Sequence, residues 1–143
     1  MKLIFLDIDG VLNNQTTISS GIHLCNQRVS MLHDFVQEAD AHVVISSSWR
    51  SLFQLDTIKD MLWSAGFQER DRIVGVTPNS GFGFACRGEE IESVLVANKD
   101  IEAYAILDDD QDMTVDQQPF FVKTCFQKGL QIEHISKLRS ILL

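Results

Sequence analysis

The sequence predicts an α/β fold, a layered sandwich with a mostly parallel central sheet and helices on its faces. Three observations predict it. Short, nearly continuous apolar runs recur along the chain, as strands buried on both faces require. Segments with helical apolar spacing separate those runs. Three of the runs also stop in acidic or hydroxyl-bearing residues, and open α/β sheets place ligands at the carboxyl ends of their strands.

The first run, Leu3 to Leu6, passes straight into Asp7, Ile8, Asp9, Gly10 and Val11. Gly10 ends the regular strand and lets the backbone turn. Residues 10–22 are rich in Asn, Ser and Thr and read as a loop, too short for a large inserted lid. A helix is expected over about 23–39, with Cys25, Val29, Leu32, Val36 and Ala39 on one stripe. The second strand is His42 to Ile45, followed by the SSSWR run at 46–50. A second helix is expected over about 51–65, with Leu55, Ile58, Leu62 and Ala65 inward and Gly66 as its stop. Residues 72–76 predict a third strand, and 77–84 a loop carrying Pro78, Gly81, Phe82, Gly83 and Phe84. The two phenylalanines suit either a flank of a site or an anchor for the loop. A third helix follows at about 88–98, then a strand at 103–107 that ends in Asp108, Asp109 and Asp110. Residues 111–118 read as a polar loop, Pro119 to Val122 as a fifth strand, and 132–142 as a last helix. With no repeat or linker, 1–143 reads as one domain.

A hydrophobic fraction of 45% is ordinary for a globular core. A formal net charge of −8 argues against a free-standing nucleic-acid binder. It leaves room for a nucleic-acid end as substrate where a local basic patch or a partner protein holds it. Cys25, Cys86 and Cys125 show neither metal-ligand spacing nor a disulfide framework, which fits a reducing cytoplasm. Acid interrupts the opening apolar run after four residues, so the start does not read as a signal peptide, and no stretch is long enough for a membrane span.

The strand ends carry the chemistry. Strand one brings Asp7 and Asp9, strand two Ser46 with Ser47 and Ser48 behind it, and strand four Asp108 and Asp109, with Asp112 close by. Like charges a few ångströms apart repel by roughly 1 kcal/mol in water and about 4 at an intermediate dielectric. A hard divalent cation with oxygen ligands, Mg²⁺ first, relieves that repulsion. Phosphoryl transfer needs a nucleophile, charge neutralisation and a proton donor for the leaving oxygen. Asp7 comes directly off a rigid strand and is the candidate nucleophile. Asp9 can donate a proton to the leaving group, and its backbone carbonyl can reach a metal. Asp108, with Asp109 or Asp112, completes the cation site. Ser46 offers a hydroxyl and a backbone N–H to phosphate, and Ser47, Arg50 and Arg87 are further candidate phosphate ligands. Each has a plainer reading: Ser47 as a helix cap, Arg50 as a surface cation, Arg87 as a partner of Glu90, Trp49 as packing.

These residues resemble the haloacid dehalogenase (HAD) superfamily of phosphohydrolases, through DIDGV at 7–11, VVIS at 43–46 and ILDDDQD at 106–112. SSSWR at 46–50, RGEEI at 87–91, YAILDDDQDM at 104–113 and FVKT at 121–124 further resemble the HAD domain of Swiss-army-knife RNA-repair proteins. The resemblance implies a Rossmann-like core with little or no cap, Mg²⁺, Asp7 as nucleophile and Asp9 as general acid/base. It further implies Asp108 as metal ligand and Ser46 as phosphate ligand. The superfamily usually carries a lysine before its last motif. Here Arg87 and Lys99 compete for that place, and Arg87 opens its helix from the correct edge. The implied substrate is a phosphomonoester, a nucleic-acid end, a nucleotide or another such ester, with a phosphate-binding module serving a partner protein, or a receiver-like module, as the alternatives.

Overall fold

The computed structural model describes residues 1–79, 83–84 and 86–143. Five strands form one parallel sheet: β1 (Lys2–Leu6), β2 (Ala41–Ile45), β3 (Ile73–Val76), β4 (Ala103–Asp108) and β5 (Phe121–Lys123). Their order is β3-β2-β1-β4-β5, with β1 in the centre. A flavodoxin-like receiver sheet runs 2-1-3-4-5 instead.

Alternation along β1 builds the layers, because successive side chains of a strand point to opposite faces. Ile4 and Leu6 join Val43, Ile45 and Leu107 beneath three helices, α2 (Asn26–Ala39), α3 (Leu55–Ala65) and α5 (Ile132–Leu142). Leu3 and Phe5 join Val44, Ile106 and Phe121 beneath α4 (Arg87–Ala97), which contributes Ile91. The result is a three-layer, Rossmann-like sandwich. Residues 7–25 separate β1 from α2 and residues 77–86 separate β3 from α4, so neither connection has the length of a cap domain. No helix among the described residues is long and apolar enough to cross a membrane.

Three local expectations change. Residues 15–19 form a short helix, α1, inside the expected loop. Asn14 and Thr17 close a reciprocal capping box there, and the helix buries no residue, so it left no apolar stripe to read. The expected helix at 51–65 starts at Leu55, because Ser48–Ser51 first make a 3₁₀ turn capped by the Ser47 hydroxyl. Gly66 does stop that helix, at φ +121°. Pro119 lies in a second 3₁₀ turn, Val115–Phe120, and β5 begins only at Phe121. Phe82 lies outside the described residues; Phe84 lines an open hollow on the outer side of α4 with Glu92 and Val96.

Candidate active site

The sheet ladder continues one residue past the strands and aligns their ends. Asp7 N–H donates to Leu107 O at 2.9 Å, Ser46 N–H to Leu6 O at 2.7 Å, and Thr124 N–H to Asp108 O at 2.9 Å. Asp7, Ser46 and Asp108 therefore leave neighbouring strands at one edge. Gly10 then turns the chain at φ +82°. A Cβ there would lie 2.2 Å from Asp109 Oδ2, so only glycine lets that carboxylate lie over the turn. The Thr124 hydroxyl donates to Gly10 O at 2.7 Å and ties the turn to the end of β5.

Asp7, Asp108 and Asp109 each present an oxygen within 4.8 Å of the others. Asp7 and Asp108 are buried. Burial, with the charge of Asp108 beside it, pushes the Asp7 carboxyl up to about 9. Burial raises Asp108 as well, although Arg87 and the Asp110 N–H oppose the shift. Arg87 Nη1 lies 2.7 Å from Asp108 Oδ2 and 3.5 Å from Asp7 Oδ1. Burial works against the charge of Arg87, but Asp108 and Asp7 outweigh it and raise its proton affinity. One guanidinium thus stands among three carboxylates. That donor set, all oxygen and short of positive charge, fits a hard divalent cation such as Mg²⁺. Asp112 stands apart from the cluster: its carboxylate accepts from Arg87 N–H at 3.1 Å and its carbonyl from Gly88 N–H at 2.9 Å, which staples the start of α4 to the loop after β4. Lys99 follows the far end of α4.

Ser46 is buried, and its hydroxyl has no hydrogen-bond partner among the described residues. Its N–H is spent on Leu6, so only the hydroxyl remains for a ligand, which narrows the expectation for this residue. The Ser47 hydroxyl accepts from Trp49 N–H at 3.2 Å. It is the cap of the plainer reading, and its own O–H is still a donor. Arg50 is also placed differently from expectation. Its side chain is 7% exposed, Nη2 lies 2.9 Å from both oxygens of Glu90, and Nη1 donates to Ser47 O at 2.7 Å. The guanidinium ties the 46–53 segment to α4 and does not face the site as a free cation. Glu90 therefore pairs with Arg50 and leaves Arg87 to the aspartates.

The carboxylate of Asp9 stands outside the three-aspartate cluster. It accepts from Asn13 Nδ2 at 3.0 Å and from Trp49 Nε1 at 3.2 Å. Asn13 is the site-building residue that sequence reasoning passed over, and Glu90 was read only as a partner of Arg87, where it pairs with Arg50. Asn13 had one signal, an amide three residues after a turn glycine; Glu90 had none beyond its place in RGEEI. Trp49 was legible only as packing.

A family model described as the HAD domain in Swiss Army Knife RNA repair proteins matches residues 3–135. Comparison with curated proteins and with solved structures returned no match.

Proposed function

The chain belongs to that family of HAD domains, and on that premise we propose that it is a Mg²⁺-dependent phosphohydrolase that cleaves phosphomonoesters through an aspartyl-phosphate on Asp7. The observation that carries this reading is the convergence of Asp7, Asp108 and Asp109 within 4.8 Å, with Arg87 among them. Asp7, Asp108 and Asp109 would hold the cation, and Mg²⁺, when bound, supplies the positive charge that lets a phosphate dianion approach a carboxylate.

The chain's own groups account for the remaining needs. An oxygen of Asp7 attacks phosphorus while the bond to the leaving oxygen breaks. Asp9 gives that oxygen a proton, and then takes one from the water that displaces phosphate from Asp7. The Ser46 hydroxyl and the Arg87 guanidinium bind the non-bridging phosphate oxygens. Arginine suits this task because it stays charged and presents a planar fork.

We further propose a nucleotide or a polynucleotide end as the substrate class. The family's RNA-repair description and the short connections around the strand ends support this. The net charge of −8 works against unaided grip on a long polyanion. A partner protein would hold such a strand, or the substrate is a small nucleotide.

The test is turnover of p-nitrophenyl phosphate with and without Mg²⁺, for the wild type and Asp7→Asn. The variant should lose about 10³-fold or more, with its circular dichroism unchanged. Undiminished turnover in a folded variant refutes the nucleophile. A substrate screen over mononucleotides, 3′- and 5′-phosphorylated oligonucleotides, sugar phosphates and phosphopeptides then ranks the classes.

A further inference from the structure

We infer that Asn13 and Trp49 are positioning residues that decide which oxygen of Asp9 carries the transferable proton, an inference that rests on the phosphatase reading above. Asp9 sits on a turn outside the sheet, and a carboxylate there rotates freely unless something holds it. Two donors do, and their identities are unambiguous.

Asn13 is fully buried. Its Oδ1 accepts from Gly10 N–H at 2.9 Å, and its Nδ2 donates to His23 O at 2.7 Å. A backbone N–H can only donate and a carbonyl can only accept, so the amide has one orientation. The second Nδ2 hydrogen is then aimed at Asp9 Oδ1, 3.0 Å away.

Trp49 is buried as well, and its Nε1 lies 3.2 Å from both Asp9 oxygens. An indole N–H has no acceptor capacity. The ring is held in turn by the Ser47 hydroxyl on its backbone N–H and by Phe53, at a centroid distance of 5.7 Å.

Asp9 Oδ1 thus faces two groups that can only donate, and a proton there would meet both. Among the described residues, Oδ2 shares only the indole N–H. Oδ2 is therefore the oxygen that carries the proton when Asp9 is neutral. As the Asp7–phosphorus bond forms and the bond from phosphorus to the leaving oxygen breaks, the Oδ2 proton passes to that oxygen. In the second step Oδ2 takes a proton from the attacking water, and the bond from phosphorus to Asp7 breaks.

The experiment compares Trp49→Phe with the wild type on two esters, p-nitrophenyl phosphate and an alkyl phosphate. The first leaving group needs little protonation and the second depends on it. Loss of a hydrogen bond to a charged group is worth roughly tenfold in rate. The variant should therefore lose about ten times more kcat on the alkyl ester than on the nitrophenyl ester. A merely structural role for Trp49 lowers both equally, and that result overturns the inference. A wild type inert toward both esters overturns the phosphatase reading itself.

A second measurement does not depend on activity. The chain has two tryptophans, and Trp63 is half exposed on α3. In a ¹⁵N correlation spectrum, Asp9→Ala should move the indole N–H signal of Trp49 upfield and leave that of Trp63 in place. An unmoved Trp49 signal removes the contact on which the inference stands.

Discussion

Two arginine–carboxylate contacts meet on α4, and they differ in their charge balance. Arg50 and Glu90 are 7% and 2% exposed and match one positive charge with one negative. Arg87, 20% exposed, pairs with Asp108 and Asp7 in a cluster that also holds Asp109, one guanidinium for three carboxyl groups. The balanced pair is a strut. It connects the turn after β2 to α4. The unbalanced cluster gathers carboxylates whose repulsion a bound cation would offset. Burial of charge is costly in both places, but only the strut matches its charges one to one.

The largest effect expected from this contrast is on the strut. Glu90→Ala leaves a buried guanidinium unpaired and should cost about 3–5 kcal/mol in urea unfolding. Replacing both partners, as Arg50→Met with Glu90→Leu, should recover most of that loss, since an apolar pair of similar volume removes the unpaired charge. A double variant as unstable as the single one would break the comparison.

The cluster should respond with the opposite sign. Burial raises the Asp7 carboxyl to about 9 from an ordinary 3.8. A carboxyl raised on folding contributes fully below its unfolded value, and that contribution is lost as pH rises through its folded value. Metal-free wild type should therefore lose stability between about pH 4 and pH 9. Asp7→Asn removes the strained group. At pH 8, without metal, it should be more stable than the wild type by at least about 1 kcal/mol, a few degrees in Tm. The difference should vanish below pH 4. Differential scanning calorimetry across that range checks both the sign and the window.

The smallest effect sharpens the assignment of the cation. Mg²⁺ competes with protons for the same oxygens, so its stabilisation of the wild type should grow from pH 6 to pH 8. A concentration about twice the dissociation constant is worth about 0.6 kcal/mol. Asp108→Asn should abolish most of that shift, read by thermal melting, while Asp112→Asn should not, because Asp112 caps α4 outside the cluster.

Much of this was legible in the chain. The apolar run Leu3 to Leu6 reads as a buried strand, and the acids after it then stand at a sheet edge. The same logic holds for Ile45 before Ser46 and for Leu107 before Asp108. The helices of the larger face showed their stripes. What was hidden lies in the turns. The Ser47 cap displaced the start of α3, and α1 left no apolar pattern because it buries nothing. The choice of Asp109 over Asp112 depends on a close approach to Gly10 from the far side of the sheet edge.

By itself, then, the sequence determined the layers of this protein and the chemical groups at its strand ends. Burial of apolar runs is a local, periodic demand, and residue order records it directly. Only the tertiary structure decided which partner each charged group took. Arg50 closes on Glu90 and Arg87 turns to the aspartates, while Asp9 faces Asn13 and Trp49. Those pairings join residues up to forty positions apart. Direction and desolvation select them among several chemically equal choices, and both exist only once the loops have packed.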